Sequence, residues 1–599
     1  KLDSLPNLID YVRPLFPPVS NSGIITSAGD IAMKSNLVRS GYGLSGEGVK
    51  IGVISNSYNT ILGNPAATDV ANGDLPGAGN PVNSTPVQVL KDYPFGVQTD
   101  EGRAMLQIVH DIVPKANLAF RTGFISPGDM AQGIVALKNN NCNVIVDDVT
   151  FITEPFFQDG IVAKAVDNVA AQGVSYFSSA GNFGNKSYAG TFTPAPAPNG
   201  MIGSAHNFGG GDIFQSLTLT PGNYVVVLQW QDSIYSQGQV STGTSNDLDI
   251  YLTADNGITL FGFNRNNLSG DPLEVLSFTV GGSVPQNASL LITRAAGSSN
   301  VNFKYIIFRG EGSITEYNTG TSTIVGQANA AGAMAVGAVL YSNTPAYGVN
   351  PPSVASFSSI GGTPVNGVVR NKPDLCAPNG GNTTVYMGGV NIDADAFPNF
   401  FGTSAAAPHA AGVAALLMEG KQKFYNQTMT PAQVRSVMQS TADDMGAPGF
   451  DYSTGAGFTN ADAALRTFAA PTPEIVSLNI PVSASPGTMT FTVTVDGNFL
   501  TSNSQIIFRG QPLPTTIINN NQLQATVPTF NGNPPVQIFN PSITPNTNDG
   551  GYSDTLYFFS PIKKKLVVVA DNKAKKYGED VPAFTATVTV DGQDPSSLG

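Results

Sequence analysis

One short run constrains this chain more than any other. Phe401-Gly402-Thr403 forms a tight-turn pattern that delivers Ser404. An alanine-rich apolar segment follows without a break, through Ala405-Ala406-Ala407 and on to Gly412-Val413-Ala414-Ala415-Leu416-Leu417-Met418. Alanine and leucine favour helix, and a helix this apolar belongs in a core. Ser404 therefore stands at the N-terminus of a buried helix. Unpaired backbone N–H groups and the positive end of the dipole favour developing negative charge there. A serine whose attack creates an oxyanion needs that setting, and the small residues let the helix pack tightly beneath it.

The chain has 599 residues, too many for one hydrophobic core, so three or four domains are expected. Charged residues make up 12%, about half the usual share. With 65 glycines, that composition suits a β-rich, loop-rich extracellular protein. A net charge of −13 makes nucleic acid and anionic membrane poor partners. Two cysteines, Cys142 and Cys376, supply no disulfide framework and are expected as buried free thiols. No stretch is long and apolar enough to span a membrane. Lys1-Leu2-Asp3-Ser4 lacks a signal-peptide pattern, and the chain reads as a processed piece of a longer secreted protein.

Along the chain, residues 1–45 read as a lead-in with Pro14, Pro17 and Pro18 in an extended segment. From 46 to 203 buried strands alternate with helices: strand 49–54, helix 101–111, strand 117–120, helix 129–137, strand 143–146, helix 160–171, strand 174–178. That alternation predicts a parallel α/β sheet. The pattern breaks at the proline run 193–198, and 204–312 reads as an inserted antiparallel β-sandwich of jelly-roll type. The α/β pattern resumes over 313–470. Residues 471–560 read as an all-β module similar to the immunoglobulin-like modules of bacterial surface proteins. Residues 561–599 read as part of a second such module, with Lys563-Lys564-Lys565 on a solvated edge.

The run Gly402-Thr403-Ser404 with Pro408-His409 closely resembles the nucleophile motif of the subtilisin-like serine peptidases. The resemblance covers 45–190 and 315–470, with its segments in family order. It implies a doubly wound α/β fold with an inserted β-sandwich, followed by all-β Ig-like domains. It also implies an acyl-enzyme mechanism that needs no cofactor. Ser178-Ser179-Ala180-Gly181-Asn182 matches the oxyanion segment, so Asn182 is the expected donor to the tetrahedral intermediate. At the family's histidine position, Asp100-Glu101-Gly102-Arg103-Ala104 puts Glu101. His110 lies about half a helical turn off that face and is expected in packing. His409 matches a structural histidine of the motif, and His206 lies at the start of the insert.

A glutamate base resembles that of the sedolisins, acid-acting relatives that use Ser-Glu-Asp. Their aspartate one turn after the glutamate is Met105 here. At the family's aspartate position, direct counting gives Ser55 and a one-residue shift gives Asn56. Asp147 and Asp148 end the strand where the family lines its first substrate pocket. Asp148 is expected beside the nucleophile, coupled to Glu101, selecting a basic side chain, or binding a cation, against the alternative of a hydrogen-bonded strand end.

The reading is a secreted or cell-surface endopeptidase. Ser404 is its nucleophile, Glu101 its base and Asn182 its oxyanion donor, with Asn56 or Asp148 orienting Glu101. Asp147, Gly402 and Thr403 are assigned to substrate binding. A structural calcium is left open without a site. The expected partners are a peptide or protein substrate and a surface ligand for the β domains. The alternative is a catalytically dead pseudopeptidase serving as the binding head of a bacterial adhesin.

Overall fold

The computed structural model describes residues 27–236, 242–318, 322–545, 547–559, 566–578, 580–583, 585–590 and 592–594. At its centre is a seven-stranded sheet. Its strands run in the order Gln88–Lys91, Asn117–Thr122, Lys50–Ser55, Val144–Asp147, Ser175–Ser179, Ala333–Leu340 and Leu375–Asn379. Every neighbouring pair is parallel. The first strand in sequence lies in the interior of the sheet, so chain order reverses beside it. Crevices at such reversals, outside the carboxyl ends of the strands, are where α/β sheets bind ligands.

Side chains alternate across a strand, so each strand feeds two cores. Val53, Phe120, Val144, Val146, Phe177 and Val336 pack against the helices Glu101–Ile112 and Thr403–Tyr425. Ile54, Ala119, Ile145 and Tyr176 face the helices Pro127–Asn139 and Ile161–Ala171. The strands are therefore nearly continuous apolar runs, as a sheet covered on both faces demands. Thr403–Tyr425 is buried over most of its length.

The expected lead-in is partly helical. Gly29–Ala32 and Ser35–Tyr42 are helices, and Met33, Val38 and Tyr42 join the main core. Pro14, Pro17 and Pro18 lie outside the described residues, as do Lys563, Lys564 and Lys565.

The insert is a two-sheet sandwich. One sheet orders Leu273–Val280, Gly222–Trp230, Asn302–Arg309 and Ser187–Thr191. The other contains Asp247–Thr253 and Gln286–Ala296, and Leu228, Trp230, Leu248, Ile292, Phe303 and Tyr305 fill the space between. Its boundary differs from the sequence expectation of 204. Ser187–Thr191 already pairs with Asn302–Ile306. The proline run is not a break, because Pro194–Pro196 pairs with Ser204–His206 at the end of its sheet. A sheet edge is the place that tolerates missing N–H donors.

Strands after residue 471 form a separate compact unit. A sheet of Glu474–Asn479, Phe491–Asn498, Gln522–Val527 and Thr515–Asn519 accompanies one that includes Gln505–Phe508 and Pro535–Asn540. Val493, Val495, Leu523, Ile506, Val536 and Ile538 make its core. The alternation of buried and open positions along Phe491–Asn498 is the sequence pattern made visible. Leu566–Ala570 pairs with Ala586–Val590 in a further hairpin.

Candidate active site

The Thr403–Tyr425 helix begins on a glycine with φ 110° and ψ 170°, a conformation open essentially to glycine alone. A Cβ at Gly402 would stand 3.0 Å from Asn182 Nδ2. The next residue holds that asparagine in place. Thr403 N and Thr403 Oγ1 both donate to Asn182 Oδ1, at 2.9 and 3.0 Å, and Gly181 N donates to Thr403 Oγ1 at 3.1 Å. With its oxygen occupied, the exposed Asn182 presents Nδ2 as the end free for a ligand. Ser404 follows in the first helical turn and is 8% exposed.

A tight framework holds Glu101 at the start of its own helix. Asp100 adopts φ 55°, and its carboxylate accepts from Ser57 Oγ at 2.7 Å, Thr60 N at 2.8 Å and Thr60 Oγ1 at 2.7 Å. Burial works against that charge, but these bonds outweigh it and hold the Asp100 carboxyl below its ordinary value. Glu101 N donates to Asn56 Oδ1 at 3.0 Å, and Gly102 N donates to Ser57 O at 3.0 Å.

The Glu101 carboxyl lies near both Ser404 and Asp148, close enough for each to act on its charge. Burial raises its pKa, while bonds from Asp148 and Ser404 favour its ionised form. Asp148 is raised much further, first by burial and then by the Glu101 charge, with the Ser55 hydroxyl acting in the opposite sense. Two carboxyls in contact do not both ionise near neutrality. Asp148, raised the further of the two, is the member that favours the proton, and Glu101 the member that favours the charge.

Three expectations change here. Asn56 does not orient the Glu101 carboxyl: its Oδ1 accepts the Glu101 N–H and its Nδ2 donates to Thr99 Oγ1 at 2.6 Å, so it acts as a backbone clamp. Asp147 does not line a substrate pocket. It is fully buried, with Oδ1 accepting from Gln327 Nε2 at 3.0 Å and Val149 N at 3.2 Å, and burial pushes it up to about 6. Neighbours on a strand point to opposite faces, so only one of Asp147 and Asp148 can reach Glu101. Thr403, 1% exposed, grips Asn182 and offers no surface to a substrate.

The three histidines are all accounted for elsewhere. His409 is fully buried, with Nδ1 at 2.7 Å from Ala405 O and Nε2 at 2.5 Å from Ser27 Oγ. His110 is buried and accepts from Asn80 Nδ2 at 3.1 Å. His206 sits in the sandwich beside Tyr188 and accepts the Thr193 N–H. Burial lowers each of the three to about 4, so all are neutral. Met105 is buried in the core one turn after Glu101. Cys142 and Cys376 are free and buried. Asp100, which the sequence reading did not single out as a site residue, anchors the turn that carries Glu101 through its bonds to Ser57 and Thr60. An aspartate directly before a helix start was the available signal for Asp100.

Residues 111–457 match the Subtilase family, well over half the chain, and the protein belongs to that family. The matched segment contains Asp148, Asn182 and Ser404 and begins after Glu101. Fervidolysin of Fervidobacterium pennivorans is 35% identical over 118 residues, 20% of this chain and 14% of its own length. Subtilisin BL of Lederbergia lenta is 34% identical over 149 residues, 25% of this chain and 44% of its own. The chain thus spans less than half the length of these relatives. Among solved structures, the Clostridium perfringens CspB protease aligns over 74% of this chain and 99% of its own at 14% identity, with a TM-score of 0.49. No helix among the described residues is long and apolar enough to cross a membrane.

Proposed function

We propose that the chain is a serine endopeptidase working through a Ser-Glu-Asp relay, with Ser404 as nucleophile, Glu101 as base and Asp148 as the protonated partner of that base. The observation that carries this reading is that Ser404 and Asp148 both act on the charge of one buried carboxyl, that of Glu101 at the start of its helix. Ser404 Oγ attacks the substrate carbonyl and passes its proton to Glu101. The new oxyanion meets Asn182 Nδ2 and the N-terminal N–H groups of the serine helix. Glu101 then gives the proton to the leaving amine as the tetrahedral intermediate collapses to an acyl-enzyme. In the second half water attacks, Glu101 takes its proton, and Ser404 recovers the proton as the acid departs. Asp148 keeps its own proton and stabilises the Glu101 charge between transfers.

The low share of charged residues and a match, 27% identical over 225 residues, to a protein named Extracellular protease of Xanthomonas campestris support a secreted or surface-displayed enzyme acting on peptides or proteins, with the β modules available for a surface ligand. Labelling with a fluorophosphonate across pH 3–8, with Ser404→Ala as control, tests the reading. A wild-type chain that stays unlabelled at every pH rejects it in favour of a peptidase fold kept only as a binding head.

A further inference from the structure

Asp148 stands one residue past the end of its ladder. The strand Val144–Asp147 pairs with residues 51–54 on one side and 175–178 on the other, and both registers stop at Asp147. Beyond them, Asp148 N donates to Ile54 O at 3.4 Å, longer than a good N–H···O bond. The ladder therefore does not fix the direction of the Asp148 side chain. A turn sets it instead: Val149 N reaches back to Asp147 Oδ1 at 3.2 Å, the side-chain-to-backbone bond of an Asx turn. Gln327 Nε2 donates to the same Asp147 oxygen at 3.0 Å and also to Val149 O. One amide thus grips the residue before Asp148 and the residue after it. That amide comes from far along the chain, on the 3₁₀-helix Gly326–Asn329, and Gln327 is 3% exposed. The short helix is itself pinned: Asn329 Nδ2 donates to Thr363 O at 3.2 Å, and Arg370 Nη1 donates to Asn329 O at 2.6 Å. Arg370 is held in turn by Asp159, Nη2 to Oδ2 at 2.7 Å.

We propose that Gln327 and Asp147 are positioning residues of the relay, a clamp that aims Asp148 at Glu101; the inference rests on the Ser-Glu-Asp reading given above. The titratable groups facing Asp148 are Glu101, first in effect, and Asp147, with the Ser55 hydroxyl beside them. Glu101 is set separately, through the bond from its N–H to Asn56 Oδ1. The two members of the carboxyl pair are therefore fixed by independent elements, and the clamp governs the Asp148 side. A misplacement of about 1 Å in such a constellation can cost about 10²-fold in rate. The clamp needs an acceptor oxygen at position 147 and a donor at 327, not a charge. Both bonds that Asp147 accepts within it go to Oδ1, an oxygen that Asp147→Asn keeps. The new Nδ2 of that variant would meet the Tyr176 and Ser178 hydroxyls, which now act on the Asp147 charge and which accept as well as donate.

The test compares rate–pH profiles on a peptide ester for the full chain and its variants, with a thermal melt of each. Gln327→Met removes the donor at nearly constant volume. It should lower kcat roughly 10–10²-fold with KM little changed. It should also move the alkaline limb to lower pH, because Asp148 turned away from the Glu101 charge holds its proton less tightly. Asp147→Ala should do the same, and the double variant should be no slower than the slower single. Asp147→Asn should recover most of the rate lost in Asp147→Ala and return the limb. Mere loss of folded enzyme lowers kcat without moving a limb. A wild-type limb in both Gln327→Met and Asp147→Ala overturns the clamp, and so does an Asp147→Asn enzyme as slow as Asp147→Ala. If Gln327→Met fails to fold, the two Asp147 variants decide alone. Asp148→Asn in the same series tests the relay. An alkaline limb that survives it, or a wild-type chain with no turnover at any pH, rejects the relay and the clamp with it. An alkaline limb lost in Asp148→Asn but unmoved in Gln327→Met rejects the clamp alone.

Discussion

Replacing Gly402 by alanine should disable the oxyanion donor while leaving the nucleophile and base in place. The added Cβ would stand 3.0 Å from Asn182 Nδ2 and 3.5 Å from its Oδ1. Asn182 cannot yield without giving up the two bonds that Thr403 makes to Oδ1, at 2.9 and 3.0 Å. Two costs follow, and they separate experimentally. Forcing a side chain to φ 110° costs stability of about 1–3 kcal/mol. Misdirecting the amide donor costs about 2.7–4 kcal/mol of transition-state stabilisation, or roughly 10²–10³ in kcat. Turnover of a peptide ester under saturating conditions reads the second, and a thermal melt reads the first. The decisive comparison is a double-mutant cycle with Asn182→Ala. If Gly402 acts through Asn182, the double variant is no slower than Asn182→Ala alone. Fully additive losses, or a Gly402→Ala enzyme within about threefold of wild type, would refute the reasoning; the cycle's usual scatter of about 0.5 kcal/mol sets that threshold.

Other outcomes follow from the same geometry. Glu101→Gln should lose activity at every pH whereas His110→Ala keeps it, as rate–pH profiles will show; the reverse would mean the base is His110. Because Glu101 must be ionised and its pKa is raised, activity should fall as pH drops through a midpoint above the ordinary glutamate value of about 4.3. Asp148→Asn should keep that acid limb, since an amide still donates to Glu101, but lose the alkaline limb due to ionisation of Asp148. Lys304 is fully buried, donates to Ser322 and Thr363, and forms no ion pair among the described residues. Burial lowers it from 10.5 to about 7, so the folded chain binds fewer protons than the unfolded chain between those values, and stability rises with pH there. Urea denaturation at pH 7 and pH 10 should show that rise in the wild type, at most about 1.4 kcal/mol per pH unit, and Lys304→Met should lack it.

Much of the fold was legible in the chain itself. Hydrophobic period separated the buried strands at 49–54 and 143–146 from the helices after them. The alanine run with Ser404, and Gly181-Asn182 at a strand end, marked the two segments that meet at the helix N-terminus. These signals are local, arising from spacing along one strand or helix. The start of the sandwich was hidden because Pro194–Pro196 looks like a linker until a partner strand lies beside it.

What the sequence determined by itself was the inventory: a serine at a buried helix start, an asparagine at the end of a buried strand, a glutamate where a histidine was expected, and two adjacent aspartates. Which acid answers Glu101 was decided only by the tertiary structure. Parallel pairing aligns Ile54 with Asp147, so the ends of the two strands, Asn56 and Asp148 among them, come out side by side at the carboxyl end of the sheet. A single step along either strand reverses the direction of a side chain. Counting residues therefore could not separate Asn56, which grips the Glu101 backbone, from Asp148, which meets its carboxyl, or Asp148 from the buried Asp147. Strand register, set by the packing of both faces of the sheet against their helices, makes that choice, and it depends on residues far from the site in sequence.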